Sequence, residues 1–314
     1  MHPYKIILNP ISGRGTGKDS DPLIKRHLAD LGLDFDIVWT ERPWHAAELA
    51  FQAAQDGYDV VVAAGGDGTV NEAINGLMRA RQEGRDGIPA LGVLCVGRGN
   101  DFAFGCGIPR DLAAGCETLA QGKRCAIDVG YVSGEGLTRS RYFGNGVGIG
   151  FDAVVGFESL KLKRLHGFAS YLVAALKTIF LYDRAPQVRI ECDHRSTTLP
   201  ALLVSIMNGR RMGGGFMMTP GSLMDDGLFD LCIGEEVNRL RILTLILQVM
   251  MGNHTNQRPI TMERARRVTV TALRGTLPAH ADGELLCTEA QRMSMELYPA
   301  QMEVLCAPQQ ENLP

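Results

Sequence analysis

No stretch of about 18 uncharged apolar residues occurs in the chain, the length a helix needs to cross a bilayer. The two nearest, GFASYLVAALKTIFLY, which Lys177 interrupts, and LRILTLILQVMMG, which is too short, are expected to touch a membrane surface at most. Positive charge is not in excess either. The net charge of −3 excludes a broadly basic footprint, so no nucleic-acid partner is expected. The eight cysteines form no Cys-x-x-Cys pair and have no histidine at zinc-finger spacing, and they read as mostly buried thiols in a reducing compartment. The opening MHPYKIILNP lacks the basic segment, apolar core and small-residue cleavage site of a secretory signal, which gives a cytoplasmic expectation. The chain has no internal repeat and no low-complexity tract.

Several catalytic signatures are missing too. A P-loop needs glycine five residues before its Gly-Lys, but Ser12 stands there before Gly17-Lys18, and Asp19 replaces the hydroxyl that would bind magnesium. The one Gly-x-Gly-x-x-Gly/Ala match, at Gly148, Gly150 and Ala153, has no acid at the distance a dinucleotide fingerprint requires. No Gly-x-Ser-x-Gly elbow and no His-Glu-x-x-His occur, which removes α/β-hydrolase and zincin chemistry. His45, His166 and His254 are isolated and receive no chemical role.

What is present, in 314 residues of ordinary hydrophobicity, is room for two domains. Residues 1–125 alternate strand and helix patterns, among them YKIILNP, DFDIVWT, DVVVAA and ALGVLCVG as strands. Asp21, Pro22 and Gly32 mark a helix over DPLIKRHLADLG as cap, first residue and terminator. This predicts a parallel α/β sheet with ligands at the carboxyl ends of its strands. Residues 126–293 are mainly glycine-punctuated strand runs, predicting a β-rich domain of two packed sheets with helices at Glu158–Tyr182 and Asn238–Met251. The tail 294–314 is a candidate to return to the first domain.

Three polar glycine loops follow first-domain strands: NPISGRGTGK, GGDGTVNE and VGRGNDFAFG. Side by side they would present a wall of backbone N–H groups to phosphates. In the second, the backbones of Gly65, Gly66 and Gly68 can approach an anion, Thr69 is expected to cap the following helix, and Glu72 to lie toward that helix's positive end. A carboxylate beside phosphates implies a cation between them, so Asp67, Asp101 and Asp128 are candidates to surround magnesium. Locally, Asp101 reads equally as the cap of DFAFGCG, and Asp128 as the holder of a turn. The segment ADGELL reads on local grounds as a plain type I′ hairpin turn.

Taken in order, NPISG, GGDGTVNE, GRGND, IDVG, NGRRMGGGFMMTPGSLMDDGLFDL and ADGE resemble the diacylglycerol kinase catalytic-domain family, over about residues 4–306. The chain looks like that family's bacterial soluble lipid kinases. The resemblance implies an α/β nucleotide-binding domain followed by a β-sandwich, and ATP- and Mg2+-dependent phosphorylation of a lipid hydroxyl. It implies ATP contacts at Thr40, at Gly66, Asp67, Gly68, Thr69, Val70, Asn71 and Glu72, at Arg98, and at Asp101. It gives Glu284 the role of accepting the hydroxyl proton, with Asp282 beside it and Asp128 in the site. It also implies a structural magnesium bound by Asp226 and the carbonyls of Leu223 and Leu228.

The third loop departs from the family's Pro-x-Gly-Thr-Gly-Asn-Asp: Val96 replaces proline and Arg98 replaces threonine. Arg98 either reaches a β- or γ-phosphate with a charge-assisted bond or fills the nucleotide pocket, leaving a catalytically silent binding protein. An NAD kinase is the third reading, opposed by GRGND and ADGE. Lys161, Lys163, Arg164 and Lys177 among apolar residues suggest either a helix resting on an anionic membrane or one packed on its own domain. A homodimer is left open.

Overall fold

A computed structural model describes residues 4–85, 87–162, 168–181 and 184–307. The chain divides into two compact units, residues 1–127 with 300–314, and residues 128–299.

In the first unit, β1 (Tyr4–Leu8), α1 (Thr16–Asp30), β2 (Phe35–Trp39), α2 (His45–Asp56), β3 (Val60–Gly65), α3 (Asp67–Gln82), β4 (Ala90–Cys95), α4 (Asp101–Gly105) and α5 (Leu112–Gln121) alternate as the apolar pattern requires. The strands form a parallel sheet in the order β2-β1-β3-β4. A strand entering from the second unit adds to β4 at Val304–Leu91. β3 is buried along its whole length, which is why VVVAAG is a continuous apolar run and not an alternating one. Ile6, Leu8, Val62 and Leu94 pack with Ile24 and Leu28 of α1 in one core.

α1 begins at Thr16, behind Gly15 in the left-handed region (φ 100°), and Pro22 lies inside it. The Asp-Pro start signal is therefore overridden. Asp21 serves instead as a side-chain acceptor, bound by Lys25 Nζ at 2.7 Å and Trp39 Nε1 at 3.2 Å. The reading of free thiols is also corrected at one pair: Cys125 and Cys306 form a disulfide. Residues 303–306 lie along the start of the strand at 124, with the Cys306 N–H donating to Lys123 O and Arg124 paired to Glu303. The six other cysteines form no disulfide among the described residues.

The second unit contains most of β5 (Arg124–Glu135), then β6 (Arg141–Phe143), β7 (Gly146–Gly150), α6 (Phe151–Lys161), α7 (Phe168–Leu181), β8 (Gln187–Cys192), β9 (Arg195–Met207) and β10 (Phe229–Glu235). It continues through α8 (Arg239–Met250), β11 (Ile260–Ala265), β12 (Arg267–Arg274), β13 (Leu277–Ala281), β14 (Glu284–Ala290) and β15 (Arg292–Leu305). The strands pair antiparallel. The long β9 serves two layers, pairing with β8 through its first half and with β7 and β10 through its second. One core between the layers joins Val147, Ile206, Phe229 and Ala279 to Val188, Val268 and Met293, so the unit is a β-sandwich.

The single helix expected at Glu158–Tyr182 is two, α6 and α7. Tyr182, Lys163, Arg164 and His166 lie outside the described residues. Lys161 and Lys177 both bind the buried Glu158, so half of the expected basic quartet is neutralised internally. α8 starts where expected, because Asn238 Oδ1 accepts the Arg241 N–H and caps it.

Candidate functional site

The carboxyl ends of β1, β3 and β4 lead into the three glycine loops, which lock together through groups only glycine permits. The Val96 and Gly97 N–H groups both donate to Gly65 O, at 3.0 and 2.9 Å. A Cβ on Gly97 would lie 2.2 Å from Gly66 Cα, so these two backbones touch directly. A Cβ on Gly13 would lie 2.8 Å from Val96 O, and Asn9 Nδ2 donates to Thr69 Oγ1 at 3.0 Å, tying in the first loop. Asn9 is a joint the sequence did not single out.

Thr69 therefore does not cap α3. The helix starts at Asp67 behind Gly66 with no side-chain cap, leaving its positive end to backbone N–H groups. Thr69 lies one turn in and is buried, as are Val70 and Asn71. Gly68 forms the first turn. Thr40, just past β2, donates its N–H to Leu8 O at the same sheet edge.

The two acids of this loop do different work from that expected. Asp67 Oδ1 accepts the N–H groups of Asp101 (2.7 Å) and Phe102 (3.1 Å), so Asp67, and not Asp101, caps α4. Its other oxygen faces Gly99: a Cβ there would meet Asp67 Oδ2 at 2.6 Å and Asp101 Oδ2 at 3.6 Å. Two carboxylates thus converge on one glycine, an all-oxygen donor set of the kind a hard cation takes. Glu72 turns away from its own helix end and accepts from the N–H groups of Trp44 (2.8 Å) and Ala46 (3.1 Å), capping α2. Arg98 is half-buried, and its carbonyl is held by Arg110 Nη2 at 2.9 Å.

In the second unit, Asp282 and Gly283 both have positive φ (47° and 83°), the signature of a type I′ turn. The turn carries Glu284 exposed at the start of β14. Asp282 is buried and accepts N–H groups from Gly144, Asn145 and Gly146 at 2.9, 3.0 and 2.9 Å. That carboxylate anchors the hairpin. Asp128, also buried, accepts the Gly227 N–H through Oδ2 at 2.7 Å, while Asn208 Nδ2 binds the carbonyls of Asp128 and Gly144. Asp128, Asp282 and Asn208 form a buried polar knot at the hairpin that displays Glu284, and Asn208 entered the sequence reading only as the first residue of the NGRRMGGG motif.

The segment expected to hold a structural magnesium is differently engaged. Asp226 accepts the Leu228 N–H at 3.1 Å and is ion-paired with Arg264. Leu223 is half-exposed beside it. A guanidinium already neutralises the one carboxylate of the set, so these residues do not fit the ion as they stand. Among the described residues no cluster of three or more His, Cys, Asp or Glu side chains is arranged to hold a metal.

A further buried group was not anticipated. Asp152 Oδ2 accepts from Ser205 Oγ at 2.7 Å, and both Asp152 Oδ2 and His280 Nε2 crowd the space over Gly148, within 2.6 Å of where a Cβ would be. The residue keeps some surface, but its carboxylate is wrapped. Burial pushes its pKa up to about 7 against the lowering effect of Ser205, and burial pushes His280 down to about 4.

Residues 3–132 match the diacylglycerol kinase catalytic domain, and residues 145–306 match the YegS C-terminal NAD kinase beta sandwich-like domain. The chain is 32% identical over 293 residues to a diacylglycerol kinase of Bacillus subtilis, covering 90% of each. It is 31% identical over 283 residues to that of Staphylococcus aureus strain RF122, covering 89% of this chain and 85% of the relative. The crystal structure of a diacylglycerol kinase from Bacillus anthracis strain Sterne shares the fold, with a TM-score of 0.73 at 22% identity over 98% of this chain and 97% of that one. With the interlocked glycine loops and the displayed Glu284, these matches identify the chain as a kinase belonging to the diacylglycerol kinase family.

Proposed function

We propose that this kinase transfers the γ-phosphoryl group of ATP to a hydroxyl of a diacylglycerol-like lipid, with Mg2+, working as a peripheral protein at the cytoplasmic membrane face. The observation that carries the reading is the wall of three glycine loops at one sheet edge, with an uncapped α3 behind it. Backbone N–H groups at such an edge bind phosphate oxygens without competing side chains. Gly66, Asp67 and Gly68, at the start of α3, would then line the phosphates, with Thr40 and Asp101 at the flanks, while Glu72 keeps to α2. Arg98 would extend to a terminal phosphate, adding a charge-assisted bond where a hydroxyl would give a weaker one.

Asp67 and Asp101, converging at Gly99, are the residues that would hold Mg2+, which would supply neutralisation of the phosphate charge. Glu284 accepts the proton of the lipid hydroxyl as its oxygen bonds to the γ-phosphorus, and the bond to the bridging oxygen of ADP breaks. Asp282 acts through Glu284, holding the hairpin on Gly144, Asn145 and Gly146, and Asp128 braces the same knot through Gly227. The relatives named diacylglycerol kinase support a lipid acceptor.

The test is turnover by Glu284→Ala. Labelled ATP, magnesium and a panel of glycerolipid and sphingoid acceptors should give phospholipid with the wild type, and at least about 100-fold less with the variant at unchanged melting temperature. Wild-type turnover that survives the substitution intact would remove Glu284 from the reaction. Nucleotide binding without any turnover would favour a silent binding protein.

A further inference from the structure

We propose that the paired outer faces of α7 and α8 form the surface by which this protein docks on an anionic lipid bilayer. The proposal rests on the lipid-kinase reading for its occupant, since the acceptor of that reaction resides in a membrane. Seven of the fifteen large hydrophobic side chains exposed among the described residues lie on these two helices and the residue that ends α8. On α8, Leu240, Leu243, Leu247 and Met251 recur at helical spacing and are 76, 39, 57 and 64% exposed. The opposite stripe, Ile242, Leu245, Ile246 and Val249, is buried, so the fold already uses one apolar face and leaves a second uncovered. On α7, Val173, Leu176 and Phe180 repeat the pattern, Phe180 being 72% exposed. The helices share a core through Ala174, Ala175, Ile242 and Ile246, and the Arg239 guanidinium stands 5.9 Å from the Phe180 ring, so the two stripes are neighbours.

A soluble surface seldom leaves so many large apolar side chains in one place without a partner. Charge decides which partner. The two helices carry Lys177, Arg239 and Arg241 and no acid; Glu158 of α6 takes Lys177, Asp183 follows α7 by two residues in sequence, and Glu235 and Glu236 precede α8, so the basic flank of the ridge is Arg239 and Arg241. Arg241 is held by Thr244 Oγ1 and Gln257 Oε1, neutral partners that fix the guanidinium without cancelling its charge. An apolar ridge with a basic flank suits the boundary between acyl chains and anionic headgroups. A two-fold contact with a second copy would instead bring the same arginines together. The basis for membrane contact thus moves from the basic quartet of residues 161–177, in which Lys161 and Lys177 serve Glu158, to the ridge itself.

Flotation with vesicles of phosphatidylcholine alone and of phosphatidylcholine with phosphatidylglycerol in equal parts tests this. The wild type should float at least about tenfold more with the anionic vesicles. Leu240→Asp with Leu247→Asp should lower that binding at least about tenfold, with melting temperature unchanged and phosphorylation of a short-chain diacylglycerol in detergent micelles retained, since both side chains are exposed. Wild-type protein that turns over the micellar substrate but ignores both vesicles overturns the docking surface and leaves the kinase reading intact. Vesicle binding lost with the double variant, in a protein that phosphorylates no lipid, does the reverse. Binding that survives the double substitution, or a dimer in sedimentation that the same substitutions dissolve, also overturns the proposal.

Discussion

Replacing Asp67 separates two tasks that one side chain performs through its two oxygens. Oδ1 takes two amide N–H groups, from Asp101 and Phe102, and Oδ2 faces the convergence with Asp101 at Gly99. In Asp67→Ala both N–H groups lose a charged acceptor in a part-buried setting. A cap is worth about 1–2 kcal/mol, and bonds to a charged group somewhat more, so the loss should be about 2–3 kcal/mol. For a protein of this size that lowers the melting temperature by roughly 3–5 °C. Asp67→Asn keeps an oxygen where Oδ1 stands and loses only charge assistance, so about 1 kcal/mol is expected. Activity should divide differently: both variants lose the negative charge at Oδ2, and both should fall at least about tenfold in kcat/KM at saturating magnesium. Calorimetry and steady-state kinetics on the same preparations measure the two effects. An asparagine variant as unstable as the alanine variant would refute the capping role. A fully active asparagine variant would refute the role of the carboxylate beside a cation.

Glu72→Gln should cost nearly as much as Glu72→Ala, about 2 kcal/mol by thermal unfolding, because Trp44 and Ala46 each need their own acceptor oxygen and glutamine has one; a stable glutamine variant would contradict this. Asp152, held near 7 by burial, resists ionisation in the folded state, so its penalty is absent below about pH 4 and grows as pH rises through about 7, to at most about 4 kcal/mol. Asp152→Asn should therefore gain in melting temperature over the wild type between about pH 5 and pH 8, and a constant difference across that range would show that Asp152 does not titrate there. Arg98→Thr should raise the KM for ATP roughly tenfold or more, from the loss of a charge-assisted bond, whereas a lower KM would show that the guanidinium blocks the pocket.

Much of the architecture was legible because it depends on local pattern. Continuous apolar runs such as VVVAAG gave the parallel strands, Asn238 marked the start of α8, and Asp282-Gly283 between apolar runs specified the hairpin that displays Glu284. The partners of the acids were not legible, because they lie far along the chain. Glu72 lies in its own helix, where the macrodipole argument applied, yet its oxygens go to N–H groups 26 and 28 residues earlier. Asp67 finds α4 34 and 35 residues later, and Cys125 meets Cys306 across 181. At α1 the failure was local: Asp-Pro is a sound start signal, but Gly15 in the left-handed region starts the helix a turn and a half earlier, and the turns around Pro22 carry it.

Phosphoryl transfer to a lipid hydroxyl is the claim on which these readings converge. Its most direct test is the mass spectrum of a total lipid extract after incubation with the purified protein, ATP and magnesium. The account predicts a lipid heavier by one phosphoryl group, carrying label from γ-labelled ATP and absent with Glu284→Ala. Folded, ATP-binding protein that labels no lipid from any extract would contradict it.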